Sequence, residues 1–364
     1  EGKTQELDVY YGQPNDTILI QYTGGTTGVA KGAELTNRNL VSNMQQVGGF
    51  LFQFLEEGKE VALSPLPMYH IFAFTVHALA LLSIGTKNVL VTNPRDLPSV
   101  IKEFNQKQPI TLMTGVNTLF NALTGHSDFP NANFASLKFA VGGGMAVQRP
   151  VAERFEKVTG AKLIEGYGMT ESSPVASCNP IDGTDKIGSI GMPLPSTELR
   201  IIDEDGNVLA QGQIGEIQIK GKSVFLEYWQ KLEATQDAFT KDGWFKTGDI
   251  AIFNNGSYRI LGRNSVDIIK SGGYKISALE IEEVLRTHPQ IKECGVVGIP
   301  DEEWGEIIGA SLIVEDANLD LEALKTWLKT KLPGYKLPRL YIFQDDLPRN
   351  VMGKVTKNEL KKLF

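Results

Sequence analysis

The sequence predicts an α/β fold over most of its length, closed by a smaller α+β domain. Three observations point there. In the first half, short apolar runs alternate with helical patterns, as layered α/β structure requires. From about Gly188 to Ile260 the pattern changes to short strands separated by turn residues, which suits an antiparallel section. After Arg263, helical and strand patterns mix again, placing a domain boundary at Gly262–Ser265.

The elements follow in order. Ile18 to Tyr22 reads as a strand running into TGGTTGVAKG. Thr36 can then cap a helix with Leu40, Met44 and Val47 on one face, so the glycine-rich segment lies between a strand and a helix. SLKFAVGGG is a strand ending in glycines. It leads into a helix with Val151, Phe155 and Val158 on one face, stopped at Gly160. AKLIEGYG is the next strand, and strand, helix, strand in this order implies parallel pairing with functional loops at the strand ends. Asp205-Gly206, Gly212 and Asn255-Gly256 mark turns in the antiparallel section. Ser277 and Glu280 form a capping box for a helix carrying Leu279, Val284 and Leu285, which ends before Pro289. GVVGIP and GASLIVE read as strands, and Leu321, Leu324, Leu328 and Leu332 mark a further helix.

Composition narrows the class. Apolar residues make up 41% and charged residues 22%, ordinary for a globular protein. The net charge of −7 argues against general nucleic-acid binding. From Leu321 to Phe364, however, ten Lys and Arg face four Asp and Glu. That is either a solvated lysine-rich surface or a basic face for a polyanion such as a nucleotide or CoA. Cys178 and Cys294 are far apart and suit a reducing, cytoplasmic setting. The four histidines have no zinc-ligand spacing. No apolar run is long enough to span a bilayer, although peripheral membrane contact stays open. The opening EGKTQELDVYYGQPND has no apolar signal core and reads as a point where a longer chain was cut.

The strongest local signal is Thr23-Gly24-Gly25-Thr26-Thr27-Gly28-Val29-Ala30-Lys31-Gly32. Small residues let backbone N–H groups surround phosphate oxygens, hydroxyls add donors, and Lys31 adds a point charge. It is not the GxxxxGK[ST] loop, because its lysine does not directly follow a glycine. Further motifs come in a fixed order: Pro67-Met68-Tyr69-His70, Gly142-Gly143-Gly144, Glu165-Gly166-Tyr167-Gly168-Met169-Thr170-Glu171 and Gly215-Glu216-Ile217 with Gly221. They continue through Trp244 to Thr247-Gly248-Asp249, Gly262-Arg263, Ser271-Gly272-Gly273 and Pro348-Arg349-Asn350-Val351-Met352-Gly353-Lys354. This ordered set resembles the acyl-adenylate-forming superfamily of acyl-CoA synthetases, peptide-synthetase adenylation domains and luciferases.

The resemblance implies that superfamily's fold: a large AMP-binding domain over 1–262 (lacking its N-terminal part), a hinge at 263–265 and a small mobile domain over 266–364. It also implies a two-step reaction. A carboxylate attacks the α-phosphorus of ATP, giving acyl-AMP and pyrophosphate; the CoA thiol then takes the acyl group and releases AMP. The ATP site would comprise Thr23, Gly24, Gly25, Thr26, Thr27, Gly28, Lys31, Gly142, Gly143, Gly144, Glu165, Gly166, Tyr167, Gly168, Thr170, Asp249 and Arg263. Within it, Asp249 would accept the ribose hydroxyls, Tyr167 would face adenine and Thr170 would donate to the α-phosphate. Glu171 matches the Mg²⁺ ligand, an oxygen donor of the kind magnesium favours. Lys354 matches the lysine that bridges carboxylate and nucleotide. Ser271, Gly272 and Gly273 match the loop beside the CoA channel, and Ser265 stands where the hinge is usually Asp or Lys. His70 would gate or line the acyl site; from the residues alone, a lone histidine within this apolar helical stretch is more often a satisfied interior group than a catalytic base.

LPMYHIFAFT, TNPRDLP, TGVNTLFNAL, GGGMAVQ and SIGMPLPSTE resemble bacterial long-chain fatty acyl-CoA synthetases. GRNSVDIIKSGGYKISALEIEEVL and PDEEWGE resemble the malonyl-CoA synthetase branch. The acyl pocket of such enzymes belongs mainly to the first domain, so the resemblance implies a medium- or long-chain fatty acid, with Val116 and Gly143 lining its pocket. The alternatives are a malonyl or short-chain ligase, a ligase loading a carrier protein, and an inactive nucleotide- or fatty-acid-binding fragment.

Overall fold

The computed structural model describes residues 11–23, 30–182, 184–264, 266–315, 319–349 and 355–364. Its first feature differs from the expectation. β1 (Thr17–Thr23) pairs antiparallel with β2 (Lys31–Thr36), so the glycine-rich segment joins two strands of a hairpin rather than a strand and a helix. The predicted helix starts only after β2. Thr36 caps α1 (Asn37–Leu51): its side chain accepts from Asn39 N, while the Asn39 side chain reaches back to the cap. Such a reciprocal cap satisfies donors that a helix start otherwise leaves open.

The main sheet is built from β3 (Val61–Ser64), β4 (Lys87–Leu90), β5 (Leu112–Gly115), β6 (Phe139–Gly142), β7 (Lys162–Gly168), β8 (Val175–Cys178) and β9 (Met192–Pro193), in the order β4-β3-β5-β6-β7-β8-β9. The first five run parallel, as predicted for the β6–β7 pair, and β8 and β9 return antiparallel. Between β3 and β4, α2 (Ile71–Ala73) passes into a π-helix over Phe74–Leu81. The other crossings are α3 (Leu97–Glu103), α4 (Asn117–Gly125) and α5 (Arg149–Thr159). Gly160 ends α5 at φ 73°, a left-handed position where a Cβ would be costly. Leu63, Met113, Phe120, Phe129 and Phe155 fill the core on the α4–α5 side of the sheet; Val47, Phe72, Val76 and Ile164 fill the other side.

The antiparallel section is a four-stranded sheet of β10 (Thr197–Ile202), β11 (Ile214–Gly221), β12 (Phe245–Asn254) and β13 (Ser257–Arg263), with α6 (Leu232–Ala238) between β11 and β12. The last sheet contains β14 (Ile268–Ser271), β15 (Tyr274–Ser277), β16 (Ile291–Asp301), β17 (Gly305–Val314) and β18 (Leu340–Phe343). It is flanked by α7 (Ala278–Leu285), α8 (Leu321–Lys329) and α9 (Lys357–Lys361). Ser277 caps α7 by accepting from Glu280 N at 3.2 Å. The expected reciprocal half is replaced: the Glu280 carboxylate takes Lys336 Nζ at 2.7 Å. The buried face of α7 is Ala278, Ile281, Glu282 and Leu285, with Val284 only partly buried.

Candidate functional site

The polar groups singled out in the sequence converge where β7, β12 and β13 end beside the β1–β2 hairpin. Asp249 lies opposite Arg263 in the β12–β13 register. Its Oδ1 takes Arg263 Nε at 3.1 Å, and its Oδ2 accepts from the Tyr167 hydroxyl at 2.6 Å. Thr247, which lies in the same sequence motif as Asp249 but carries no assigned role, fixes this carboxylate's backbone. Its Oγ1 accepts from Asp249 N at 3.0 Å and donates to Ile217 O at 2.6 Å. Burial, followed by the Asp249 carboxylate, pushes the Tyr167 phenol well above its ordinary pKa, so it stays a donor.

A second group faces this one. Residues 226–229 run alongside β2, through Leu226 N to Glu34 O at 3.1 Å and Trp229 N to Gly32 O at 2.8 Å. That pairing carries Tyr228 to the root of the glycine-rich loop. Its hydroxyl donates to Glu171 Oε1 at 2.7 Å, and Lys31 Nζ lies 4.8 Å from its ring centroid. Thr23 Oγ1 donates to Lys31 O at 3.3 Å and closes the loop's root. Burial, then Glu171, raises the Tyr228 phenol, while Arg263 is near enough to oppose the rise in both tyrosines. Thr23, Lys31, Tyr167, Glu171, Asp249 and Arg263 are thereby gathered beside the β1–β2 hairpin, with Thr170 next to Glu171 in the chain. Gly24, Gly25, Thr26, Thr27, Gly28, Ser265 and Lys354 lie outside the described residues. Nothing local signals Tyr228: only the long-range pairing with β2 brings it here.

A partly buried Glu171, using one oxygen on Tyr228, fits Mg²⁺. Magnesium is usually held by one or two carboxylates, with waters and substrate phosphates completing its shell. Gly168 permits close packing rather than an unusual backbone: a Cβ there would lie 1.9 Å from Pro174 O. Glu165 is placed differently from its neighbours. Its side chain is buried against Val147, Asn179, Asp185 and Ile187, and burial pushes its carboxyl up to about 8.

The other predicted residues form two further groups. Gly143 N donates to Gly115 O at 3.1 Å, and the place a Gly143 Cβ would take is 2.9 Å from the Phe72 ring and 3.4 Å from Gly166 O. Gly144 has φ 74° and faces Val116, while Gly142 packs on Val147. Phe72 N donates to His70 Nδ1 at 3.3 Å, so His70 caps the helix that follows instead of lying within it. Burial lowers the His70 pKa and favours the neutral imidazole. His77 is the deeply buried histidine: it bonds Asn88 Oδ1 at 2.7 Å and Thr114 Oγ1 at 2.8 Å, and burial lowers it to about 4. Ser271, Gly272 and Gly273 form the β14–β15 turn, tied by Gly272 N to Trp304 O at 2.9 Å.

This mixed α/β architecture, with a large first and a small second domain, is the fold of adenylate-forming enzymes. The chain belongs to the AMP-binding enzyme family, whose model matches residues 3–229; the model for the family's C-terminal domain matches residues 280–354. It is 46% identical to a long-chain-fatty-acid–CoA ligase of Escherichia coli, over 96% of this chain and 62% of that protein. A mitochondrial malonate–CoA ligase of Xenopus laevis is 35% identical over 99% of this chain and 67% of that protein. Among solved structures, ATP-bound MatB from Rhodopseudomonas palustris matches with a TM-score of 0.89 at 31% identity, covering 96% of this chain and 69% of that one. The apo form of the same protein matches at 0.79, covering 98% of this chain and 70% of that one. The chain thus spans about 62% of the length of the E. coli relative. Among the described residues, no helix is long and apolar enough to cross a membrane.

Proposed function

We propose that this protein acts in a medium- or long-chain fatty acid–CoA ligase reaction, forming acyl-AMP from a fatty acid and ATP and passing the acyl group to CoA. The observation that supports this most is the presence of two groups beside the β1–β2 hairpin: Tyr167–Asp249–Arg263 and Lys31–Tyr228–Glu171. The first offers a carboxylate for ribose hydroxyls; the second offers cation and oxygen donors for a triphosphate. Both reactants are anions, so preorganised positive charge lowers the barrier. Lys31 and Arg263 supply it from these residues, and Lys354 is assigned the bridge between carboxylate and α-phosphate. Thr170 donates to that phosphate. When bound beside Glu171, Mg²⁺ neutralises charge on the phosphates. The acyl chain is assigned to the Phe72, Val116 and Gly143 region. Neutral His70 lies next to it and needs no general-base role. The turn Ser271–Gly273 is assigned to CoA, residues 263–265 to the hinge and 266–364 to the mobile domain.

The higher identity to fatty-acid ligases favours them over the malonate relative. Acid-dependent ATP–pyrophosphate exchange, run with malonate, octanoate and palmitate, tests the reading. Exchange with the fatty acids, followed by CoA-dependent AMP release, is the expected result. Exchange confined to malonate overturns the substrate, and nucleotide binding without any exchange overturns the enzyme.

A further inference from the structure

The contacts between the two domains are unequal. Arg259 of β13 meets Glu283 of α7 at 3.0 Å, and Lys275 meets Glu204 at 2.8 Å, but these side chains are 35–73% exposed and well screened. A third contact is largely enclosed. With its amide oxygen turned toward the second domain, Gln148 accepts from Arg286 Nη1 at 3.1 Å and Nε at 3.2 Å. The guanidinium is held ready for it by Glu282 Oε2 and Cys294 O, both at 3.1 Å. Glu282 is itself buried; its Oε1 accepts from Val296 N at 2.8 Å and pairs with Lys357.

Both ends of this chain of bonds reach the candidate site. Gln148 N donates to Asn117 Oδ1 at 2.9 Å, and Asn117 follows Val116 of the assigned acyl pocket. At the other end Lys357 Nζ lies 3.6 Å from Asp267 Oδ1, while Asp267 Oδ2 accepts from Arg263 N at 3.1 Å. Arg263 in turn holds Asp249. The chain as a whole superposes on ATP-bound MatB with a TM-score of 0.89 and on apo MatB with 0.79.

We propose that Gln148 and Arg286 are positioning residues that hold the second domain in the arrangement used for acid activation, so that their bond opposes departure toward thioester formation. This rests on the ligase reading. Arg286 is pre-organised by buried partners, so closing the Gln148 bond immobilises little that was free. Gln148 belongs to the first domain and is only partly buried, so its substitution leaves both cores intact.

Two substitutions at this one position are expected to push in opposite directions. Gln148→Leu removes the acceptor and lowers acid-dependent pyrophosphate exchange about fivefold, with thioester formation from supplied acyl-AMP unchanged or faster. Gln148→Glu makes the bond charge-assisted; it retains exchange and slows the thioester step. Equal loss of both reactions in Gln148→Leu, or Gln148→Glu behaving like it, overturns the assignment. If the wild type performs neither reaction, the ligase reading fails, and spin labels at Lys157→Cys and Lys329→Cys still decide the latch. Gln148→Leu is then expected to broaden the interdomain distance distribution measured with ATP; an unchanged distribution sinks the proposal.

Discussion

Glu165 is an ionisable group held where ionisation is costly. One oxygen faces Val147 N, Oε2 has no hydrogen-bond partner, and burial is the main reason its pKa rises from 4.5 to about 8. Between those values the folded chain keeps a proton that the unfolded chain has released. Stability therefore falls as pH rises across that window and levels off above the folded pKa. The slope is at most about 1.4 kcal/mol per pH unit. Glu165→Gln keeps a neutral polar group and removes the titration. Urea midpoints at pH 5 and pH 8 should show the wild type losing ground to the variant on going to pH 8. Parallel behaviour at both pH values would mean that Glu165 finds a partner or solvent when it ionises. Tyr167 and Asp249 were legible because each lies in a motif, whereas Tyr228 owes its place to pairing with a strand nearly two hundred positions earlier.

At the scale of elements, legibility followed how local the determining force was. Thr36 capping α1 and Gly160 ending α5 depend on neighbours within a turn, and both were readable. β2 was missed because KGAELT has weak strand character; its pairing with β1 and with residues 226–229 supplies what propensity lacks. The apolar pattern places His70 inside a helix, but the helix starts at Ile71, since the His70 imidazole competes for the first free N–H groups. The return from β7 to β8 carries a testable constraint. Met169 N donates to Pro174 O at 3.1 Å, around the turn that holds Thr170 and Glu171. Gly168→Ala would force a methyl to within 1.9 Å of that same carbonyl, so strand and turn must separate. The expected loss is about 1–3 kcal/mol in urea unfolding, together with a raised KM for ATP. Gly49→Ala, on α1 where nothing lies within 4 Å of the added carbon, is the control and should be neutral or slightly stabilising. Equal effects from the two substitutions would rule out the close approach at Gly168.

The whole molecule divides its chemistry unevenly. The carboxylates and tyrosines assigned to the nucleotide all come from the first domain, through β7, β12 and the strip beside β2. The second domain's assigned contributions are Lys354 and the Ser271–Gly273 turn, on different stretches of one small body. Arg349 and Val355, which bracket residues 350–354, pair with each other, and Thr356 N donates to Pro348 O at 2.8 Å. Arg349 is further anchored by Glu293 at 2.5 Å. The two ends that flank residues 350–354 are therefore fixed within the second domain. If the Lys354 ammonium serves only the charge that develops between carboxylate and phosphorus, its removal should damage one half of the reaction. Lys354→Ala is expected to reduce pyrophosphate exchange roughly 100-fold or more, the usual cost of losing a transition-state donor. Thioester formation from supplied acyl-AMP should stay within a few-fold of wild type, because that step joins no carboxylate to phosphorus: the CoA sulfur bonds to the acyl carbon as the bond from that carbon to AMP breaks. Matching losses in both steps would place Lys354 in the architecture of the second domain rather than in the activation chemistry.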